Sequence, residues 1–438
     1  MENSKSAVID NRPRMTTMQQ ALLSFFWLAT NVQWGVILIV TMPSQIKAAV
    51  GDSTKGVALG IALGIGAFIS MLAAPAFGAL SDRIKLPGGR RKPWVVIGTV
   101  GNVIALFGLA YLIKPDDPNS VIWWTVAFGF VELFNNIATA PYSALIPDLV
   151  RTDQRGSASG WMGLMTILGT FLGGVIGFLP LGITVDYYMV MLFLIIGAVI
   201  TVFYVHEPKE ITIRPFTWPD FLRGLISPFK NSDFTWVFMT RMLVTMGIFT
   251  IQEFLQYYLG DVIGASNFVL PGIGKVAGTP ESAVSLFLIL LLVGAIISTL
   301  AAGVLSDRYG RKIMVYLAGG IMGAVALTFV FFHSFLLAVL MGVVFGLGYG
   351  AYESVDWALA SDVLPSIDDY AKDMGVWHVA MVLPQVIATP IAGFLLDKFQ
   401  VIGAAQNIAN LGYTVIFLLA VVYFILGTVF VKQIKKVK

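Results

Sequence analysis

GALSDRIKLPGGRRKPW, residues 78–94, returns in shortened form as GVLSDRYGRK, residues 303–312, an offset of 225 (303 − 78) in a chain of 438 residues. Each copy follows one long apolar run and precedes another. A second pair of matching segments, ALIPD at Ala144–Asp148 and ALASD at Ala358–Asp362, repeats at an offset of 214 (358 − 144). Two matches near half the chain length predict duplicated halves related by an axis along the membrane normal, with a site at mid-depth between them. In the corner itself a glycine lets two helices approach closely, and an aspartate beside a helix end can pair with neighbouring cations. Gly78, Asp82, Arg83, Arg90 and Arg91, with Gly303, Asp307, Arg308, Arg311 and Lys312 in the second copy, are therefore candidate gating residues whose ion pairs break as the halves rock. The alternative is that these cations are only topology anchors, and the two readings can hold together.

Composition puts these corners between membrane spans. Hydrophobic residues make up 57% and charged residues 12%, against roughly half and a quarter in soluble domains. The formal charge of +3 is too small and too dispersed for nucleic-acid binding. With no cysteine and three histidines, disulfides, thiolate metal sites and cysteine nucleophiles are excluded, and no metal or cofactor site is expected. A phosphate-binding loop is missing too, so transport driven by ATP has no engine here. An intramembrane enzyme would need a nucleophile with its base, or a metal, at membrane depth, and neither constellation is present.

Spans of about 20 apolar residues fall near 18–42, 55–80, 93–113, 121–146, 158–180 and 186–206, then near 234–259, 282–305, 312–332, 335–361, 374–397 and 408–431. The expected fold is an all-α membrane protein of twelve helices in two six-helix halves. It divides into a leader (1–17), a first bundle (18–206), a linker (207–233) carrying several prolines and a possible short surface helix, a second bundle (234–431) and a basic tail (432–438). The first run is too long for a signal-peptide core and lacks a cleavage site, so it reads as a retained helix. Of 28 basic residues, 22 lie in segments on the side of the termini and 5 on the other side; that asymmetry predicts cytoplasmic termini in a multi-pass protein of the cell membrane.

Polar residues inside spans mark the candidate site, because lipid cannot satisfy them. In the fourth span Glu132, Asn135, Asn136 and Thr139 follow i, i+3, i+4, i+7 spacing and share one face. A carboxyl group removed from water without a fixed cation favours its neutral form, which is the property a proton carrier needs. Glu132 is the first candidate for that role; the alternative is a structural glutamate neutralised by the asparagines. The tenth span repeats the spacing with Tyr349, Tyr352, Glu353 and Asp356, adding two further candidate proton carriers. Arg241, Gln252, Glu253 and Gln256 in the seventh span, with His378 and Gln385 in the eleventh, could line one cavity. Arg241 reads equally as a counter-ion of a tenth-span carboxylate. Asn31, Gln33 and Trp34 form a polar cluster in the first span, although Asn31 and Gln33 point in different directions. Amides beside an indole suit a neutral, hydroxyl-rich solute. Trp123, Trp124 and Trp236 at span ends are assigned to the interfacial belt. The second span carries no acidic residue, which favours protons over sodium as the coupling ion.

The two corners and the twelve spans resemble the major facilitator superfamily over almost the whole chain. Within it, NVQWGVILIVTMP (31–43), the Glu132–Asn136 run and GVWHVAMVLPQVIATPIAG (375–393) resemble the glycoside–pentoside–hexuronide cation symporters and the sucrose–proton symporters. The resemblance implies proton-coupled sugar symport by alternating access, and it places the family's protonatable carboxylate of the fourth helix on Glu132, where the plant branch commonly has Asp. Expected partners are a small solute, protons and the bilayer, with the monomer as the working unit. Export of amphipathic compounds by the same fold is the alternative function. A membrane sensor without transport is a third reading, for which an added signalling domain would be expected.

Overall fold

The computed structural model describes residues 13–84, 86–207, 226–363 and 370–435. Most of the expected linker, with its surface helix, lies outside the described residues, as do the side chains of Gly303, Asp307 and His378. Among the described residues twelve helices are long and apolar enough to cross a membrane. They are α1 (Thr17–Val50), α2 (Lys55–Ser81), α3 (Lys92–Tyr111), α4 (Ser120–Ser143), α5 (Arg155–Phe178), α6 (Ile183–Tyr204), α7 (Ser232–Ile263), α8 (Pro280–Tyr309), α9 (Arg311–Phe331), α10 (Phe335–Val363), α11 (Tyr370–Gln406) and α12 (Leu411–Phe430). The chain is a multi-pass membrane protein, with apolar side chains such as Ile104, Phe203 and Val401 exposed on its outer surface. One end of the bundle carries the termini; the opposite end is the distal end.

Hydropathy places most boundaries within a few residues. The largest departures are α1, which runs on to Val50, and α11, which runs on to Gln406. The α1 extension is amphipathic, burying Pro43, Gln45, Ile46 and Ala49, so packing and not an apolar run carries it; the α11 extension is mostly exposed, with Gly403 buried. Thr16 starts α1 with a capping box, its side chain accepting from Gln19 N–H while Gln19 answers back to the Thr16 N–H.

The duplication is visible in packing. Within the first half α1 packs on α5 and α6, α2 on α4, and α3 on α4 and α6; each pairing recurs six helices later as α7 on α11 and α12, α8 on α10, and α9 on α10 and α12. Between halves, α2 packs on α11 and α5 on α8, which are two copies of one contact. Even the irregularities repeat. A wider π-helical turn occupies Ile37–Thr41 in α1 and Leu259–Ile263 in α7, an offset of 222 (259 − 37) that falls between the two sequence offsets. Such turns insert a residue and free backbone groups, and they concentrate at functional positions.

With no hydrophobic drive between helices in lipid, close approach must hold the bundle together. At Gly346 of α10 a Cβ would stand 1.9 Å from the carbonyl oxygen of Leu291 in α8. Only glycine permits that crossing.

Candidate functional site

The α2–α3 corner of the first half is an ion-pair cluster. Asp82 pairs with Arg91 at 2.6 Å and Arg90 at 3.4 Å. Asp148, just beyond α4, pairs with the same two arginines at 3.0 and 2.9 Å. Glu207 accepts from the backbone N–H groups of Arg90 (2.6 Å) and Lys92 (2.6 Å), fixing the start of α3. In the second half Arg311 pairs with Asp362 at the end of α10. The two sequence repeats are thus partners: each corner of the SDR type meets the acidic end of the helix two spans on. Among the described residues these clusters lie within their own halves.

Contacts across the halves gather toward the distal end. Asp261 of α7 receives Lys47 at 2.7 Å and also Lys55 and the Tyr413 hydroxyl. Asp52 binds both lysines, Lys55 at 2.7 Å and Lys47 at 3.1 Å. The Lys55 ammonium, bonded to it, holds the Asp52 carboxyl below the usual aspartate range. Asp397 of α11 accepts from the N–H groups of Gly56 (3.0 Å) and Val57 (2.7 Å) at the start of α2. Ser44 of α1 bonds Glu281 of α8, and the Tyr257 hydroxyl donates to the Pro43 carbonyl at 2.9 Å. Gln256 also reaches Ser44; with its amide set by its neighbours, it donates to the carbonyls of Ile39 (2.8 Å) and Val40 (3.0 Å) in the π-turn of α1. Gly60 makes the crossing possible deeper in, since a Cβ there would stand 2.4 Å from the Thr389 carbonyl oxygen. The Thr389 hydroxyl also donates to the Gly60 carbonyl at 3.3 Å; the other described hydrogen bonds and ion pairs between halves all belong to the distal set, so the distal end is closed.

Inside the first half, Glu132 is 6% exposed and has no ion pair among the described residues. Ser70 of α2 lies beside it and accepts from the Asn136 amide at 2.8 Å, and that amide also donates to the Glu132 carbonyl. The Asn135 side-chain oxygen is buried without a hydrogen-bond partner among the described residues. Ser70 carried no signal in sequence, being one hydroxyl in a small-residue helix. Gln33 is fully buried and accepts from Asn102 of α3 at 2.8 Å, while Asn31 and Trp34 stay partly exposed. That is the divergence expected from residues two apart on a helix. The same geometry corrects the belt assignment. Trp123 is exposed at the rim, but Trp124 turns inward, stacks on Phe128 and donates to the Leu109 carbonyl at 3.1 Å.

In the second half Arg241 is fully buried. One guanidinium nitrogen contacts Asp356, another lies 3.6 Å from Glu353, and the group stacks 4.1 Å above the Trp377 ring. Tyr352 donates to the second Asp356 oxygen at 3.4 Å. The tenth-span carboxylates and Arg241 are therefore one cluster, with Asp356 enclosed and Glu353 partly open. Tyr349, Gln252 and Gln385 remain partly exposed, while Glu253 and Gln256 are buried. No described contact joins this cluster to the Glu132 cluster. A separate apolar cleft of about 670 Å³ runs on the outer face between α2 and α4, lined by Ile61, Ile65, Val126 and Phe130, remote from these polar groups.

A twelve-helix bundle with polar clusters enclosed in both halves and one end closed defines a membrane transporter of small molecules. The profile of the MFS/sugar transport protein family matches residues 53–431, and the chain belongs to that family. It is 22% identical to a sucrose transport protein of Arabidopsis thaliana, over 89% of this chain and 87% of that one. It is 24% identical to a multidrug resistance efflux pump of Streptococcus pneumoniae, over 75% and 77%. A general alpha-glucoside permease of Schizosaccharomyces pombe is 29% identical over 26% of this chain and 23% of its own length. Among solved structures, a variant of the nucleoside transporter NupG superposes with a TM-score of 0.71 at 16% identity, covering 96% of this chain and 100% of that one.

Proposed function

We propose that this protein imports a sugar or glycoside by proton-coupled symport, with Glu132 as the proton carrier and both termini in the cytoplasm. The observation that carries this reading is the enclosure of Glu132 among Ser70, Asn135 and Asn136 with no cation paired to it among the described residues. A group so placed exchanges a proton more readily than it holds a charge. Asp356 differs: bound to Arg241, it serves as a fixed element of the second half, and Glu353, being partly exposed, is the tenth-helix carboxylate available to a solute. Asn31, Trp34, Gln252, Tyr349 and Gln385 supply the amide, indole and phenol groups that suit a hydroxyl-rich neutral ligand. With cytoplasmic termini, the closed distal end is extracellular, so the state described faces inward. The relatives named for sucrose and alpha-glucosides support the sugar class, and the efflux-pump relative keeps export of amphipathic compounds as the second reading.

The test is uptake of labelled sucrose or maltose into proteoliposomes with and without an inward proton gradient. Accumulation that collapses on adding a protonophore supports symport. Failure to accumulate either disaccharide, together with gradient-driven movement of a lipophilic cation, would move the assignment to export.

A further inference from the structure

Glu253 stands where α7 loses its regular turn, after the α-helical stretch ending at Gln252 and before the one starting at Leu255. Its side chain is 0% exposed, and neither carboxyl oxygen has a hydrogen-bond partner among the described residues. The titratable groups on the surrounding elements are engaged elsewhere. Lys55 of α2 and Tyr413 of α12 bind Asp261; Asp397 of α11 binds the start of α2; Glu281 of α8 binds Ser44; Glu353 and Asp356 of α10 face Arg241. The next turn of α7 holds the distal contact, with Gln256 on Ser44 and Tyr257 on Pro43.

We propose that Glu253 is a proton-binding site that permits distal closure: the seam between α7 and α1 closes only over the protonated carboxyl. With the distal end closed, an ionised Glu253 is enclosed with neither a cation nor a donor among the described residues, whereas the neutral acid incurs a much smaller desolvation cost. Opening the distal end separates Tyr257 from Pro43 and Gln256 from α1, hydrating the turn below, so Glu253 takes its proton from the distal side. It stays protonated for as long as that end is closed. Its proton therefore licenses a conformational step and is distinct from the one assigned to Glu132; the inference does not depend on which solute moves.

The chain has no cysteine, so nitroxide labels can be placed without background at Lys114→Cys and Lys275→Cys, exposed distal positions in opposite halves. Electron–electron distances would be measured in lipid nanodiscs from about pH 5 to about pH 9. The expected result is a closed-to-open ratio that falls with rising pH, by up to about tenfold per pH unit beyond the titration point. Glu253→Gln should stay closed across the range, and Glu253→Asp should keep the dependence with a moved midpoint. Wild-type pH dependence in Glu253→Gln, an unmoved midpoint in Glu253→Asp, or no dependence in the parent would each overturn the proposal. The coupling assignment is read separately, from gradient-driven uptake by Glu132→Gln in proteoliposomes, so failure of this inference and failure of that assignment are distinguishable.

Discussion

Asp261 in the second half is the common acceptor for Lys47 and Lys55 from the first, and Tyr413 bonds it from behind. One carboxylate therefore ties α1 and α2 to α7 and α12. Removing its charge leaves two lysines, one nearly buried, with Asp52 as their one carboxylate partner among the described residues. Asp261→Asn should loosen the distal seam. Ser285, buried on α8 where Gly177 of α5 crosses it, reports that loosening as Ser285→Cys. Its alkylation rate should rise about tenfold in the Asp261→Asn background, equivalent to ~1.4 kcal/mol. An unchanged rate would remove Asp261 from the seam's determinants.

Asp52 titrates in the opposite sense to a buried acid. Its folded carboxyl lies below the ordinary range because Lys55 and Lys47 are bonded to it. A depressed folded value means that its stabilisation is complete above the unfolded value of about 4 and is lost as pH falls through the folded one. Asp52→Asn should therefore lower the melting temperature by a constant, small amount between about pH 5 and 8. The difference should vanish in stronger acid; a difference that grows there contradicts the pairing.

Two glycines with the same steric problem should behave differently. Gly346 lets α8 and α10 cross inside the second half, and Gly60 lets α2 and α11 cross between halves. Gly346→Ala strains every conformation and should reduce thermal stability by about 1–3 kcal/mol. Gly60→Ala strains only the distally closed state, so it should shift labels at positions 114 and 275 apart while leaving the melting temperature of the open protein near that of the parent.

Arg241 and Asp356 form a pair in which each partner is at most 1% exposed. Arg241→Met alone strands a buried carboxylate and should cost about 3–5 kcal/mol, whereas Arg241→Met with Asp356→Leu should recover much of it. Chemical denaturation in detergent measures all corners of that cycle. Additive losses would mean that the two residues do not act as a pair.

Glu132→Gln mimics the protonated carboxyl permanently. A gradient of one pH unit supports about tenfold accumulation in one-to-one symport, and the variant should lose all of it while retaining exchange of labelled for unlabelled solute. Gradient-driven uptake at the parental level would refute the coupling role.

Much of this architecture was legible from two short motifs. The corner at Gly78 and its return at Gly303 predict halves that pack alike, and the helix pairings repeat in that way. The polar faces of the fourth and tenth spans were readable because period 3.6 survives in regular helices. Distal contacts were not. Lys47, Lys55, Asp261 and Asp397 lie near span ends, where charge is ordinary, and only tertiary contact separates a latch from a solvated side chain. Past Ile37 and Leu259 a π-turn changes the residues per turn, so spacing no longer predicts which side chains share a face.

That extra residue in α1 also sets what it costs to part the distal end. The Ile39 and Val40 carbonyls accept from Gln256 across the halves, and water satisfies such acceptors almost as well as an amide does. Parting the halves there trades one hydrated partner for another, so the closed end is fastened by contacts that solvent can take over singly, and the gate needs no single strong bond to break.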